Sequence, residues 1–140
     1  MQLHAVGLDV IDDAECLRLL ASHHFGRVAL NVGALPVILP IHYALLGRDP
    51  VFRTDPGAKL MAASEGAVLC LEIDHADPVT HTGWSVTVTG HTSVLRSPDD
   101  LDAAAALPLR PWVGHGDVFV RIEATLVSGR RIAGVPAHAD

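Results

Sequence analysis

Hydrophobic and polar residues alternate along much of this chain with a period of two, which is the pattern of β-strands. The clearest example is the segment 84–95, which divides into two faces. One face carries Trp84, Val86 and Val88, and the other carries Ser85, Thr87 and Thr89. Such alternation is typical of a strand with one buried face and one polar face. Gly90 interrupts the segment and predicts a bulge or a sharp bend, as a barrel requires.

Five further strands are predicted from short apolar runs that turn residues separate. They cover residues 26–32, 36–46, 51–54, 68–74 and 117–127. Gly33-Ala34 and residues 47–50 are the turns that separate the first three of these strands. The last is expected to be one long strand whose alternate apolar residues, from Val118 to Leu126, share one face.

Three helices are predicted between these strands. The first covers about residues 12–24, and Asp12 with Glu15 forms a capping box at its start. The other two cover about residues 55–65 and 97–106. Strands outnumber helices, and the strand-helix alternation of a parallel sheet is missing. The chain is therefore predicted to form a small closed or partly closed antiparallel barrel.

Composition sets limits on this barrel and its partners. The chain has 140 residues, of which 49% are hydrophobic, enough for one domain with a buried core. We expect a single domain over residues 1–140, with a core of about 12–132 and flexible ends at 1–8 and 134–140. A formal net charge of -6 argues against a basic track for nucleic acid. The high apolar fraction also suggests surface that is hidden in an oligomer.

Several features argue against a membrane-bound or secreted protein. Residues 28–46 are long and apolar, but Pro36 and Pro40 interrupt them and fit paired strands better than a membrane helix. The first residues lack the basic and apolar regions of a signal peptide. Cys16 and Cys70 form no CxxC pair, which fits a reducing compartment. We therefore expect a cytoplasmic protein that makes no membrane contact.

The candidate metal and nucleophile patterns are incomplete. Nine histidines occur without the spacing of a zinc site. The acidic and histidine cluster at residues 74–77, with His81 beyond it, is interpreted as a polar connection between two strands. Ser85 follows Gly83, but Thr87 stands where a nucleophile elbow needs glycine. The sequence predicts neither a metal site nor a serine hydrolase.

The segment 51–60 gathers groups that bind anions. Arg53 supplies a fork of donors, Thr54 a hydroxyl, Gly57 an open backbone at a helix start and Lys59 a mobile charge. A phosphate satisfies all four groups. The alternative is an ordinary turn beside a solvated pair of basic side chains.

Taken in order along the chain, these pieces resemble the pyridoxamine 5'-phosphate oxidase-like family of flavin-binding split barrels, over about residues 12–132. The resemblance rests on Gly26-Arg27-Val28-Ala29, Leu39-Pro40-Ile41-His42-Tyr43, Val51-Phe52-Arg53-Thr54 with Gly57 and Lys59-Leu60, Leu71-Glu72-Ile73-Asp74, Gly83-Trp84-Ser85-Val86 with Gly90, Pro111-Trp112, Val120-Arg121-Ile122 and Gly129-Arg130-Arg131-Ile132. It implies a mainly β fold with a few short helices, a six-stranded antiparallel split β-barrel of Greek-key type. It also implies a homodimer with two flavin sites at the subunit interface and FMN as the usual cofactor.

The resemblance also implies which residues contact the cofactor. The phosphate would be held by Arg53, Thr54 and Lys59 with backbone groups around Gly57 and Ala58. The isoalloxazine edge would lie along the backbone of Pro40, Ile41, His42 and Tyr43. Trp84 and Ser85 would close part of the site, and Trp112 of the partner chain would contribute. Taken by themselves, Trp84 and Trp112 are more often core or interface residues than ligand contacts, although an indole can also line a flat ring system.

Two residues depart from the family pattern. Ala58 stands where family members commonly carry Ser or Thr, so one hydroxyl contact to the phosphate is missing. Asp55 adds a negative charge beside the anion and, as a helix N-cap, would compete for the N–H groups of Gly57 or Ala58. Weak or absent FMN binding is thus an alternative, and some relatives use the deazaflavin F420 in place of FMN.

These implications predict a cytoplasmic, homodimeric, FMN-dependent oxidoreductase that acts on a small-molecule substrate or electron donor. The flavin carries the electrons, so we assign no catalytic side chain. One alternative is a noncatalytic protein that binds or carries FMN or F420. Another is a split barrel without cofactor that serves as an interaction module.

Overall fold

A computed structural model describes residues 8–56, 66–110 and 115–132 of the chain. Within these ranges the chain forms strands together with two helices, and its buried hydrophobic residues fall into two clusters. The elements are β1 (Leu8–Ile11), α1 (Asp13–Ser22), β2 (Phe25–Val32), β3 (Leu35–Leu46), β4 (Asp49–Thr54), β5 (Val68–Asp77), β6 (Thr82–Val94), α2 (Pro98–Ala105), β7 (Val118–Ile122) and β8 (Leu126–Ile132).

Six strands close into an antiparallel barrel. Their order around the barrel is β6, β5, β2, β3, β4 and β7, and pairing between β7 and β6 closes the circle. The two remaining strands extend this sheet, since β8 pairs with the first part of β6 and β1 pairs with β8. The predicted six-stranded antiparallel barrel with few helices is therefore confirmed.

Strand β6 changes its partner at Gly90. Residues 83–89 of β6 pair with β8, whereas residues 92–94 pair with β7. A Cβ atom at Gly90 would overlap the backbone carbonyl of Glu123. At the next residue of β6, the carbonyl of His91 accepts the N–H of Glu123 at 2.9 Å. Glycine is needed here because two backbones meet at this position, where β6 passes from β8 to β7.

Two short hairpin turns fix the register of β2, β3 and β4. Gly33 and Gly47 open these turns with φ of 63° and 65°, and each is followed by one more turn residue. A left-handed glycine in the first of two loop positions is the arrangement of a type II′ turn, which suits the twist of paired strands. Both turns were predicted from the sequence, although β4 already begins at Asp49.

Helix α1 packs against the barrel core. The Asp12 carboxylate accepts the N–H of Glu15 at 2.8 Å, which confirms the predicted N-cap. Leu20 of α1 is fully buried, and its carbonyl accepts the hydroxyl of Tyr43 from β3 at 2.7 Å. The core combines α1 with the inward faces of the strands, including Val28, Tyr43, Phe52, Leu71, Val86, Val88, Val120 and Ile122.

The structure corrects three expectations and adds one strand. The single strand predicted over residues 117–127 is two strands, because residues 123–125 separate β7 from β8; Leu126 is exposed and not on a buried face. Residues 74–77 are not a connection but part of β5, paired with residues 82–85 of β6. Strand β1 was not predicted.

The apolar segment 28–46 forms parts of β2 and β3, as the sequence predicted. Within the described ranges, no helix has the length and apolar character needed to cross a membrane. The helix predicted over residues 55–65 falls largely on residues 57–65, which lie outside the described ranges.

Candidate functional site

Arg53 lies near the end of β4 with its side chain on the outer surface of the barrel. It pairs in register with Phe119 of β7, and its guanidinium carbon lies 5.3 Å from the centre of the Phe119 ring. Its Nε donates to the carbonyl of Gly116 at 2.8 Å, and its Nη2 donates to the carbonyl of His115 at 3.2 Å. One ring and two carbonyls therefore fix the plane of the guanidinium.

Among the described residues, these contacts use only part of the Arg53 guanidinium. A guanidinium has five N–H donors, and two of these are used by the carbonyls of residues 115 and 116. Both donors of Nη1 and one of Nη2 have no acceptor among the described residues. Two parallel N–H groups match two oxygens of a phosphate or carboxylate. A guanidinium stays protonated and accepts no proton, so this part of the site is suited to binding and not to acid-base chemistry.

Asp55 contacts the same segment as Arg53 but from the N–H side. Its Oδ1 accepts the N–H of Gly116 at 2.7 Å and the N–H of His115 at 3.1 Å. Successive backbone N–H groups that converge on one oxygen form an anion-binding concavity. Gly116, at φ of 64°, supplies the left-handed backbone of this buried position.

The residues predicted beside the flavin ring alternate across β3. Ile41 and Tyr43 are buried, and burial raises the pKa of the Tyr43 hydroxyl. Pro40 is exposed and His42 is half-buried on the outer side. The side chains of Ile41 and Tyr43 thus belong to the core. The backbone of Tyr43 is bound to His24, whose carbonyl accepts its N–H at 2.8 Å.

His42 lies in a small group of polar rings on the outer surface. Its ring stacks against that of His24 with 6.0 Å between centroids. The N–H of Arg110 approaches Nδ1 of His42 at 3.4 Å. Burial, together with the charges of His24 and Arg110, lowers the pKa of His42 below its ordinary value. A neutral imidazole is therefore favoured at this position.

Trp84 and Ser85 lie on β6 and line a different surface from Arg53. In one chain, the strands β5, β2 and β3 separate β6 from β4 along this side of the sheet. Trp84 is half-buried and meets the ring of His23 edge-on at 5.1 Å. Both residues line a pocket of about 240 Å³ whose wall includes Arg130. The structure therefore does not bring these two residues to Arg53 within a single chain.

Of the remaining predicted contacts, Thr54 lies in the part of the chain that the structure describes, and the other four do not. Thr54 is 5% exposed and, by strand alternation, projects to the side opposite Arg53. Gly57, Ala58, Lys59 and Trp112 lie outside the described residues. In the described part of the chain, no three His, Cys, Asp or Glu side chains group as a candidate metal site.

Sequence reasoning missed the residues that hold Arg53 in place. His115 and Gly116 were not singled out, and Phe119 was counted only within a strand. Gly116 beside Asp117 is a turn signal that would have marked the segment. The pairing of Phe119 with Arg53 follows only from the register of β4 and β7.

Comparison with known proteins gives a consistent set of similarities. A family model described as pyridoxamine 5'-phosphate oxidase matches residues 12–131. An uncharacterized protein of Mycobacterium tuberculosis, Rv0080, is 38% identical over 128 residues, which are 87% of this chain and 84% of that protein.

Solved structures also resemble this chain. The FAD binding protein from Mycobacterium smegmatis is 32% identical, with a TM-score of 0.78 over 88% of this chain and 97% of that one. The FAD and heme binding protein from the same organism is 20% identical, with a TM-score of 0.68 over 96% of this chain and 77% of that one. At that identity the second likeness concerns the fold alone.

Proposed function

The chain belongs to the pyridoxamine 5'-phosphate oxidase family, and from this premise we propose that it is a flavin-dependent oxidoreductase. The observation that carries the proposal is Arg53, whose guanidinium is fixed by Phe119 and the carbonyls of residues 115 and 116 and keeps one edge for an anion. Such an edge is suited to the phosphate on the ribityl chain of a flavin.

The phosphate next to the ribityl chain is common to FMN and FAD, so Arg53 suits both. FMN is the cofactor predicted from the sequence. FAD is the flavin named for the M. smegmatis protein that is 32% identical to this chain. We propose that the site binds FMN, or FAD as a larger ligand that contains the same ribityl phosphate. Mass analysis of the bound flavin distinguishes the two.

In this proposal the protein binds and orients the flavin, which supplies the transfer of hydride or electrons. Arg53 holds the phosphate, and the exposed Pro40 with the half-buried His42 lies beside the ring. Lys59 and Trp112 remain proposed contacts from the family resemblance. The residues assigned here bind and orient, so none of them is proposed as an acid or base.

We also propose that the protein acts as a homodimer. The outer face of the sheet carries a row of register partners that runs across five strands and is mostly apolar, formed by Leu126, Thr89, Cys70, Ala29 and Ile38. The ends of the row, Ile38 and Leu126, are 67% and 65% exposed. Apolar surface of this kind favours association.

Charges beside this row favour a second copy of the chain as the partner. Arg27 lies 3.5 Å from a carboxylate oxygen of Glu72 and 3.3 Å from one of Asp74. A surface with both signs of charge is self-complementary when a twofold axis places it against itself. In such a dimer, the pocket at Trp84 and Ser85 of one subunit would complete the site of the other, which is why we keep both residues in the proposed site.

Flavin titration of the Arg53→Ala variant tests the proposal. We expect the dissociation constant for FMN to rise about 100-fold, because one bidentate charged interaction is lost. Quenching of flavin fluorescence measures binding, and Arg48→Ala, at an exposed turn, is the matched control. Equal affinity of the Arg53→Ala and wild-type proteins would refute the phosphate site.

A turnover assay separates an enzyme from a carrier. The flavin-loaded protein is mixed with a reduced nicotinamide or reduced F420, and flavin bleaching is followed before an acceptor is added. Reduction and reoxidation over many cycles support the oxidoreductase. A bound flavin that no donor reduces supports the noncatalytic carrier instead.

A further inference from the structure

Asp55 lies two residues after Arg53 and brings a negative charge close to the proposed phosphate position. A carboxylate near an anion weakens binding of that anion by repulsion. The contacts of Asp55 indicate a different role, because its Oδ1 is bound by the N–H groups of His115 and Gly116. These are the residues whose carbonyls hold Arg53.

Two neighbouring side chains thus hold one short backbone segment from opposite sides. Asp55 binds the N–H groups of residues 115 and 116, and Arg53 binds their carbonyls. Arg53 is the last residue but one of β4 and Asp55 follows the strand directly, so the two side chains are only two positions apart and both contact the segment 115–116. We name this arrangement the Asp55 latch: Asp55, His115, Gly116 and Arg53.

We propose that Asp55 is a positioning residue that orients Arg53 toward the phosphate through the latch. This inference rests on the proposed flavin site. It assigns Asp55 a favourable role in anion binding, opposite in sign to the repulsion expected from its charge. Without the carboxylate, the carbonyls of residues 115 and 116 lose their fixed place, and the guanidinium loses the two contacts that set its orientation over the Phe119 ring.

The geometry favours this role for two reasons. The shortest bond of the latch, 2.7 Å, is the one between Asp55 and the N–H of Gly116, and hydrogen bonds to an ionised group are the stronger ones. Gly116 is also buried and left-handed, so the segment has little freedom to find other partners once it is bound. The contact of Arg53 with Phe119 holds the guanidinium carbon 5.3 Å from the centre of the ring but does not set which N–H groups point outward.

Substitutions at Asp55 separate positioning from charge. Asp55→Ala removes the acceptor, and we expect FMN to bind about tenfold more weakly, the size of losing one hydrogen bond to a charged group. Asp55→Asn keeps an oxygen acceptor and removes the charge, and we expect affinity within about threefold of wild type on the same scale. If repulsion were the main effect of Asp55, both variants would bind FMN more tightly, and the proposal would be wrong.

Riboflavin, which lacks the phosphate, distinguishes positioning from a general loss of structure. Asp55→Ala should weaken FMN binding and leave riboflavin binding unchanged, whereas a damaged fold would weaken both. In an Arg53→Ala background, Asp55→Ala should cause no further loss, because Asp55 acts through Arg53. Asp117→Ala, an exposed carboxylate beside the latch, is the matched control and should bind FMN like the wild type.

A measurement without flavin makes this inference separable from the proposed function. In ¹⁵N-labelled protein, the Nε–H of Arg53 and the amide of Gly116 should be protected from solvent exchange in wild type and Asp55→Asn, and should lose protection in Asp55→Ala. If wild type binds no flavin but this pattern holds, the function fails and the latch stands. Protection that survives in Asp55→Ala, or additive losses in the double variant, would overturn the role of Asp55.

Discussion

At the scale of single residues, hydrogen-bond partners decide roles that charge alone does not. From the sequence, Asp55 is expected to compete with a bound phosphate, yet in the fold its carboxylate binds the segment that supports Arg53. Tyr43 belongs to the motif that resembles a flavin contact, yet its side chain is buried and its hydroxyl binds Leu20 of α1. The residue types were visible in the sequence, but their partners were not.

His42 should make the free energy of unfolding depend on pH. Burial, His24 and Arg110 lower its pKa from 6.5, so the unfolded chain binds the proton more readily than the folded one. The folded state is therefore stabilised by keeping His42 neutral. This stabilisation is complete above pH 6.5 and is lost as the pH falls from there through the lowered pKa of His42. We therefore expect the free energy of unfolding of His42→Asn to fall less than that of wild type between neutral and mildly acidic pH.

Urea unfolding at about pH 7.5 and pH 5.5 measures this difference. His91→Asn, at an exposed position of β6, is the control and should keep the pH dependence of the wild type. If His42→Asn and wild type lose the same stability on acidification, His42 does not contribute in the way we expect.

At the scale of elements, β6 determines how the barrel is divided. Its first part lies between β5 and β8, and its last residues pair with β7, with Gly90 at the change of partner. The alternation of apolar residues continues through 123–125, so the pattern contained no sign that β7 and β8 are separate strands. The two strands pair with β6 in registers that differ by one residue, since Thr92 pairs with Ile122 and Thr89 pairs with Leu126. The extra residue lies within 123–125, as in a β-bulge.

Gly90→Ala should be strongly destabilising. The added Cβ would overlap the backbone of Glu123, which no side-chain rotation relieves. We expect a loss of about 3 kcal/mol or more in the free energy of unfolding, at the upper end for an overpacked site. Chemical denaturation measures the loss.

Gly47→Ala is the matched control for that substitution. Gly47 has φ of 65°, and a Cβ atom added to it would have no neighbour within 4 Å, so only the left-handed backbone opposes alanine. We expect a cost of about 1 kcal/mol there. Equal losses at the two glycines would contradict the close approach at Gly90.

At the scale of the whole molecule, the proposed homodimer depends on the outer face of the sheet. Replacing Ile38 and Leu126 together by Glu places like charges at both ends of the apolar row, which should prevent a second copy from packing there. We expect the variant to be a monomer by light scattering while its far-ultraviolet circular dichroism stays unchanged.

Val79→Glu is the control for the dimer variant. Val79 is 85% exposed in the turn between β5 and β6, away from the row. The Val79→Glu variant should form an assembly of the same mass as the wild type. A variant with both Ile38 and Leu126 replaced that still has the mass of a dimer would place the interface elsewhere. If the site lies between subunits, the monomeric variant should also bind FMN more weakly.

The sequence alone determined the kind of fold and pointed to Arg53 as one residue of the proposed site. Alternation with a period of two identified the strands and most of their buried faces, with Leu126 as an exception. Glycines marked the hairpin turns, and the motif at residues 51–60 identified Arg53 as an anion-binding candidate. These are local properties, because strand alternation and turn conformation depend on neighbouring residues.

Only the tertiary structure decided which distant residues meet. The partners of Arg53 and Asp55 are about 60 positions away, at 115–116, and reach them because β4 pairs with β7. The same is true of the crossing at Gly90 and of the separation between Arg53 and Trp84. Register between strands far apart in sequence is set by the packing of the whole core, and no local pattern along the chain records it.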